Sequence, residues 1–273
     1  MSAGNGPGAG VRGGVRIGTY NLHGLRDSLP ALTRVIAGLR ADVLCVQEAP
    51  RFGRWRARRR ALAEAAGMRL ATPGRLGGVA VLTGPRVRVL EARSHALRVF
   101  LGLELRGLAV AVVEAGGARL AVGSLHLDLS DPARMHHAAE AVALMERAAA
   151  PYGAAIVLGG DLNEQPHQPA WRYLAGRLSD CGAAAGGGGA PTFPAARPAA
   201  RIDGVFAAPG ASVLSCGDGT GAGTGPGTGA DPADLAAASD HLPVVAELRF
   251  QLGARGAGDP DSDTGGRTGR PSP

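Results

Sequence analysis

The sequence predicts an α/β fold in which two packed sheets are layered with helices. Three observations carry this expectation. A strand, a helix and a strand open the chain between Val15 and Val46. Short apolar runs separated by tight turns fill much of residues 77–125, the spacing of an antiparallel meander. Only two main helical regions separate the many strands, which suits paired sheets.

Taken in order, residues 1–14 are Gly-rich and read as a disordered lead-in to a domain over 15–251. Val15–Tyr20 alternates as a strand and ends at Asn21-Leu22-His23. Asp27 or Ser28 can cap the next helix, with Pro30 in its first turn and Leu32, Val35, Ile36 and Leu39 at helical spacing. Val43–Val46 is a buried strand leading into Gln47-Glu48, and 51–67 reads as mostly helix. Strands are expected at 77–82, 87–92, 97–105, 108–114 and 120–125, the last running into His126. Asp131-Pro132 opens a helix to about Ala150, with Met135, Ala138, Val142 and Met145 on one face. Ala154–Leu158 is a buried strand delivering Gly159-Gly160-Asp161-Leu162-Asn163. A short helix at 169–174, a loop at 183–190, a strand at 201–206, a Gly/Thr-rich loop at 217–230 and a last strand at 244–250 follow. Residues 252–273 have the composition of a disordered tail.

The chain has 29 basic and 23 acidic residues, and every basic one is arginine. A GC-rich coding genome accounts for this bias, although arginine forks also suit phosphate oxygens. Three scattered cysteines, Cys45, Cys181 and Cys216, offer neither a disulfide framework nor zinc spacing. Nothing resembles a signal peptide, and no run approaches ~20 apolar residues. A cytoplasmic monomer without a transmembrane segment is the expectation; no protein partner is inferable.

Six polar clusters sit at the edges of apolar strands. They are Asn21/His23, Glu48, His126/Asp128, Asp161/Asn163, Asp203 and Asp240/His241. Singly, each has a bland alternative: a turn at Asn21, a solvated strand end at Glu48, an Asx turn at Asp161-Leu162-Asn163, an Arg201–Asp203 ion pair. Gathered at one sheet end, they supply carboxylates for a hard cation, a water activator and groups that polarise a phosphate. A carboxylate at Asp203 orienting His241 is the usual way to fix an imidazole's tautomer and raise its basicity.

The order of these motifs resembles the endonuclease/exonuclease/phosphatase superfamily from about Val15 to Phe250. The resemblance rests on Thr19-Tyr20-Asn21-Leu22-His23, Val46-Gln47-Glu48, Ser124-Leu125-His126-Leu127, Gly160-Asp161-Leu162-Asn163, Arg201-Ile202-Asp203 and Ser239-Asp240-His241. Gly77-Gly78-Val79-Ala80 and Pro191-Thr192-Phe193 are less specific companions. The resemblance implies a four-layer α/β/β/α sandwich of two packed mixed sheets flanked by helices. It implies Mg²⁺, with Mn²⁺ as a substitute, held chiefly by Glu48 with Asn21 nearby. Asp161, Asn163 and Asp240 would add a second metal position. His241 paired with Asp203 would act as base or phosphate-polarising group, with Asp161 the other candidate for activating water. His126 would contact the scissile phosphate or help the leaving group, and Asn163 would orient the phosphate.

Residues 194–200 lack the tryptophan that apurinic endonucleases of the superfamily carry there, and the longer inositol-phosphatase signatures are missing. The stretch after Glu48 offers Arg51, Arg54, Trp55 and Arg58 as a phosphate-tracking patch with a stacking aromatic. Its bland alternative is a solvated basic helix face. A nuclease is therefore the first expectation. A phosphatase or phospholipase C-type hydrolase on small or lipid-linked phosphate is the second, and a non-catalytic binding protein retaining the fold the third.

Overall fold

Periodicity along the chain resolves into twelve strands and six α-helices in the computed structural model, which describes residues 14–186, 189–217 and 230–250. The expected lead-in and tail at 1–14 and 252–273 lie, Gly14 apart, outside the described residues, as does most of the 217–230 loop. The strands are β1 (Val15–Asn21), β2 (Val43–Gln47), β3 (Arg69–Leu70), β4 (Ala80–Thr83), β5 (Arg88–Ala96) and β6 (Gly107–Ala115). The second half adds β7 (Ala118–His126), β8 (Ala155–Asp161), β9 (Ser179–Asp180), β10 (Asp203–Ala207), β11 (Ser212–Gly217) and β12 (Val244–Arg249). The helices are α1 (Leu29–Leu39), α2 (Trp55–Ala65), α3 (Asp131–Ala149), α4 (Pro169–Arg177), α5 (Cys181–Ala184) and α6 (Pro232–Ala238).

Two six-stranded mixed sheets form, in the orders β11-β12-β1-β2-β4-β3 and β5-β6-β7-β8-β10-β9. Each has one parallel pair at its centre, β1 with β2 and β7 with β8. Between the sheets lies a layer of mostly small side chains, among them Ile17, Val43, Cys45, Val81, Ala111, Val122, Val157, Val205 and Ala246. Outside the first sheet Leu32, Val35, Ile36 and Leu39 of α1 pack on Leu44, Val46 and Leu82. Outside the second, Ala138, Ala141, Val142 and Met145 of α3 pack with Trp171 on Leu108, Leu125 and Leu158. Three apolar layers between four structural ones make the α/β/β/α sandwich. Ser28 caps α1, its hydroxyl accepting from the Ala31 N–H, while Asp27 turns to His23.

Four local expectations give way. Residues 97–105 form a loop, because Phe100 packs on the rings of His136 and His137 and the Arg98 N–H donates to Glu140 of α3. Gly77 and Gly78 precede β4 in a turn with φ of 61° and 69°. A Cβ on Gly77 would lie 2.2 Å from the Gly107 nitrogen, so this glycine lets the turn touch the start of β6. Residues 51–54 precede α2 as a loop, and Cys181–Ala184, within and beside the expected 183–190 loop, is a helical turn capped by Asp180.

Arg59, expected on a solvated face, is buried. Its guanidinium donates to the carbonyls of Pro50, Gly74, Val79 and Ala49. Burial and the neighbouring Arg51 charge push its pKa down to about 10. It ties the loop after Glu48 to the turn before β4. Arg59→Met leaves those carbonyls without a donor and is expected to lower unfolding free energy by about 2–4 kcal/mol. A fall in urea midpoint at unchanged slope checks this.

Candidate active site

Topology brings the six clusters together. Strands β1, β2, β7 and β8 end at the same edge of the sandwich, and the antiparallel strands β10 and β12 begin there. Asp203 opens β10 directly opposite Asp161, and His126 pairs with Asp161 across β7 and β8. Gln47 joins the sheets near this edge, its amide donating to Ser124 Oγ at 3.1 Å. A Cβ on Gly159 would meet Cys45 and Thr19 at 3.1 Å, so glycine there permits close sheet approach.

Asp161 is the hub. Its Oδ1 accepts from the Asn163 N–H at 2.9 Å, and its Oδ2 accepts from Asn21 Nδ2 at 3.0 Å. The same Oδ2 lies 3.4 Å from His126 Nε2 and 3.7 Å from His241 Nε2. Burial raises the Asp161 pKa and nearby Asp203 adds to the rise, while the two histidines and the Asn163 N–H oppose it. Asp161-Leu162-Asn163 is thus both an Asx turn and part of the site, with Asn163 at φ 49°.

Behind Asp161 sits a carboxylate–histidine pair. His241 Nδ1–H donates to Asp203 Oδ2 at 2.9 Å, and Thr192 Oγ1–H donates to the same oxygen at 2.6 Å. The carboxylate fixes the proton on Nδ1 and leaves Nε2 facing the cleft. Phe193 lies against the imidazole, with ring centroids 4.8 Å apart. The segment carrying Thr192 also receives the Leu242 N–H, which locks the pair in place. Arg201 does not pair with Asp203; it forks onto Asp180.

His126 is a neutral imidazole. Asn163 Nδ2 donates to its Nε2 at 3.2 Å and to the Leu127 carbonyl at 3.0 Å. Burial pushes its pKa down to about 4; Asp161 pulls the other way, and the Arg106, His241 and Arg51 charges reinforce the fall. For His241, burial alone would lower the pKa, but Asp203, by charge and hydrogen bond, and then Asp161 and Asp240 raise it to about 9.

These two histidines make opposite demands on the metal-free protein. An unfolded histidine titrates at about 6.5. His241 therefore contributes stability that is full below that value and lost as pH rises through about 9. His126 contributes stability that is full above it and lost as pH falls toward about 4. His241→Gln is expected to flatten the alkaline limb alone. Urea midpoints of chelator-treated protein at about pH 5, 6.5 and 9.5 check it.

Glu48 closes the site on the other side. It sits at φ 48°, a left-handed conformation costing an L-residue about 1–2 kcal/mol. Asn21 Nδ2 donates to it at 3.3 Å, and among the described residues it has no salt-bridge partner. Asn21 turns its oxygen to the His23 N–H, so its NH₂ holds Glu48 and Asp161 together and no oxygen points at them. This unpaired carboxylate beside Asp161 is a hard oxygen donor set that fits a divalent cation. Ligand atoms of Asp161, Asp203 and His241 also lie within 4.8 Å of one another, but the imidazole already balances that trio. Asp240 lines the cleft 3.7 Å from His23 Nε2.

The cleft over these groups has a volume of about 720 Å³. Glu48, His126, Asp161, Asn163, Asp240 and His241 line it, and so do Arg51 and Arg58. Arg54 and Trp55 do not line it; the guanidiniums of Arg56 and Arg59 each lie over the Trp55 ring, 5.4 and 5.2 Å from its centroid. Two lining arginines escaped the sequence reading, Arg26 and Arg106. Arg106 lies in a run read as strand and turn, and the close approach of Gly107 to Gly77 helps set it beside the cleft.

No curated protein sequence matches the chain. Solved structures do. An endonuclease/exonuclease/phosphatase from Bacteroides vulgatus superposes at TM-score 0.69 with 18% identity, over 87% of this chain and 99% of that one. A mannosyl-6-phosphatase from Bacteroides thetaiotaomicron gives 0.68 and 19%, over 86% and 100%. The human Nocturnin catalytic domain gives 0.64 and 15%, over 88% and 96%. Identities this low speak for the fold alone. The sequence model of the Endonuclease/Exonuclease/phosphatase family matches residues 18–241, a span that holds all six polar clusters. The chain therefore belongs to the endonuclease/exonuclease/phosphatase family of phosphoester hydrolases.

Proposed function

We propose that this chain is a Mg²⁺-dependent phosphodiesterase, with Mn²⁺ able to substitute, and that nucleic acid is its first candidate substrate. The observation that carries the reading is Asp161 held between Asn21, His126 and His241, next to a Glu48 that has no cationic partner among the described residues. Bound by Glu48 and Asp161, Mg²⁺ would supply positive charge against the phosphoryl oxygens. His241, protonated at neutral pH beside Asp203, polarises a phosphoryl oxygen through Nε2–H. That leaves Asp161 as the group placed to take a proton from attacking water. Asn163 and His126, 3.2 Å apart and beside Asp161, bind the phosphate or the leaving group.

Arg26, Arg51 and Arg58 along the cleft support a polyanionic substrate. The second reading, a small or lipid-linked phosphoester, is favoured by an apolar rim. Phe52 (75% exposed), Leu129 (74%) and Leu103 (40%) also line the cleft. Plasmid DNA, RNA, abasic DNA, sphingomyelin, phosphoinositides and mannose 6-phosphate should be assayed side by side with Mg²⁺ and Mn²⁺. Turnover of at least one, abolished by chelator and by Glu48→Ala, is expected. No turnover of any, or activity that survives Glu48→Ala and His241→Ala, overturns the assignment and favours a non-catalytic binding protein.

A further inference from the structure

We propose that Arg51 and Arg106 form a second anion subsite beside the reaction centre, so that the preferred substrate carries a further phosphate next to the one that reacts. This deepens the phosphoesterase reading and rests on it. Arg106 is only 6% exposed, and its guanidinium lines the cleft. Arg51 lies across from it. Between them stands one carboxylate, Glu104, whose Oε1 is 3.1 Å from Arg51 Nη2 and whose Oε2 is 3.3 Å from Arg106 Nη1.

Glu104 bridges the two forks as a phosphate would. Its side chain is 56% exposed and sits on the 97–106 loop, so it is free to swing out to water. Asp128, nearly buried and also lining the cleft, lies 3.6 Å from Arg106 Nε and holds the guanidinium in place. Arg51, Glu104 and Arg106 line the same cleft as His126, Asp161 and His241, which puts the subsite beside the reaction centre. Two guanidiniums match the oxygens of a dianion better than they match one carboxylate. Glu104 is thus an internal occupant that a second substrate phosphate displaces.

Matched substrate pairs test this. Thymidine 5′-(p-nitrophenyl phosphate) is compared with its 3′-phosphate, and glycerophosphoinositol with its 4-phosphate, so that nucleotide and lipid-headgroup sources are separated. In at least one pair the extra phosphate is expected to raise kcat/KM about tenfold or more. Arg51→Gln should bring that ratio to within about twofold of one, and Glu104→Gln should raise it. Because the ratio is taken within one variant, a general loss of folding or activity cancels. Arg106→Lys, which keeps charge but loses the fork, should fall between. A ratio near one in the wild-type protein for both pairs, or a ratio indifferent to Arg51→Gln and Glu104→Gln, overturns the subsite. Hydrolysis of the singly phosphorylated partners stands apart as the test of the phosphoesterase reading.

Discussion

Asp161→Asn is expected to lower kcat/KM by about a thousandfold or more while leaving the fold intact. The substitution keeps shape and removes charge. In the wild-type protein Oδ1 accepts from the Asn163 N–H and Oδ2 from Asn21 Nδ2, so an amide nitrogen at either position faces a donor. The lost charge takes with it the proton acceptor, half of the proposed cation site and the partner of His241 Nε2. Stability should move the other way. The Asp161 carboxylate is disfavoured by burial and by Asp203 opposite it, so a neutral isostere relieves both in the metal-free protein. A variant with the wild-type circular dichroism spectrum, an equal or higher metal-free urea midpoint and nearly no turnover is the expected combination. Activity within about tenfold of wild type would remove Asp161 from the chemistry.

That opposition between stability and function also explains what was legible in the sequence. Strands such as Val43–Gln47 and Ala155–Asp161 declare themselves because burial on both faces demands an unbroken apolar run. Their polar ends stand out against that background, so all six clusters could be named and all six meet. The rest was hidden where long-range contact overrides local pattern. Residues 97–105 have the alternation of a strand, yet Phe100 finds the two histidines of α3 and the segment becomes the loop that carries Glu104. The arginines of 51–60 look alike in sequence. Their fates diverge because Arg59 meets four carbonyls, Arg51 and Arg58 meet the cleft, and Arg54 meets neither. Arg106 left no periodic trace, since a single polar residue before a strand is indistinguishable from a solvated end. Asn21 and Asn163 were legible as site residues, but their amide orientation follows only from the neighbours they find.

Asp203→Asn is the complementary experiment, because Asp203 reaches the cleft only through His241. A loss of about a hundred- to a thousandfold in kcat is expected, with little change in KM. Asp203 Oδ2 accepts from both His241 Nδ1 and Thr192 Oγ1. If the amide oxygen takes that place, both hydrogen bonds survive and only the charge is lost. If the nitrogen takes it, His241 must accept at Nδ1 and its proton moves to Nε2. Either outcome removes the carboxylate that overcomes burial in holding the imidazole protonated to about pH 9. In metal-free protein the His241 ring resonance should therefore titrate near about 9 in the wild type and well below that in the variant. Thr192→Val keeps the carboxylate, removes one of its donors, and should cost less than Asp203→Asn on both measures. An Asp203→Asn variant with wild-type kcat, or with an unmoved His241 titration, would mean that the pair is a structural contact at the sheet edge. The same pH series read in kcat distinguishes the two, since a purely structural loss lowers the whole profile without moving its limbs.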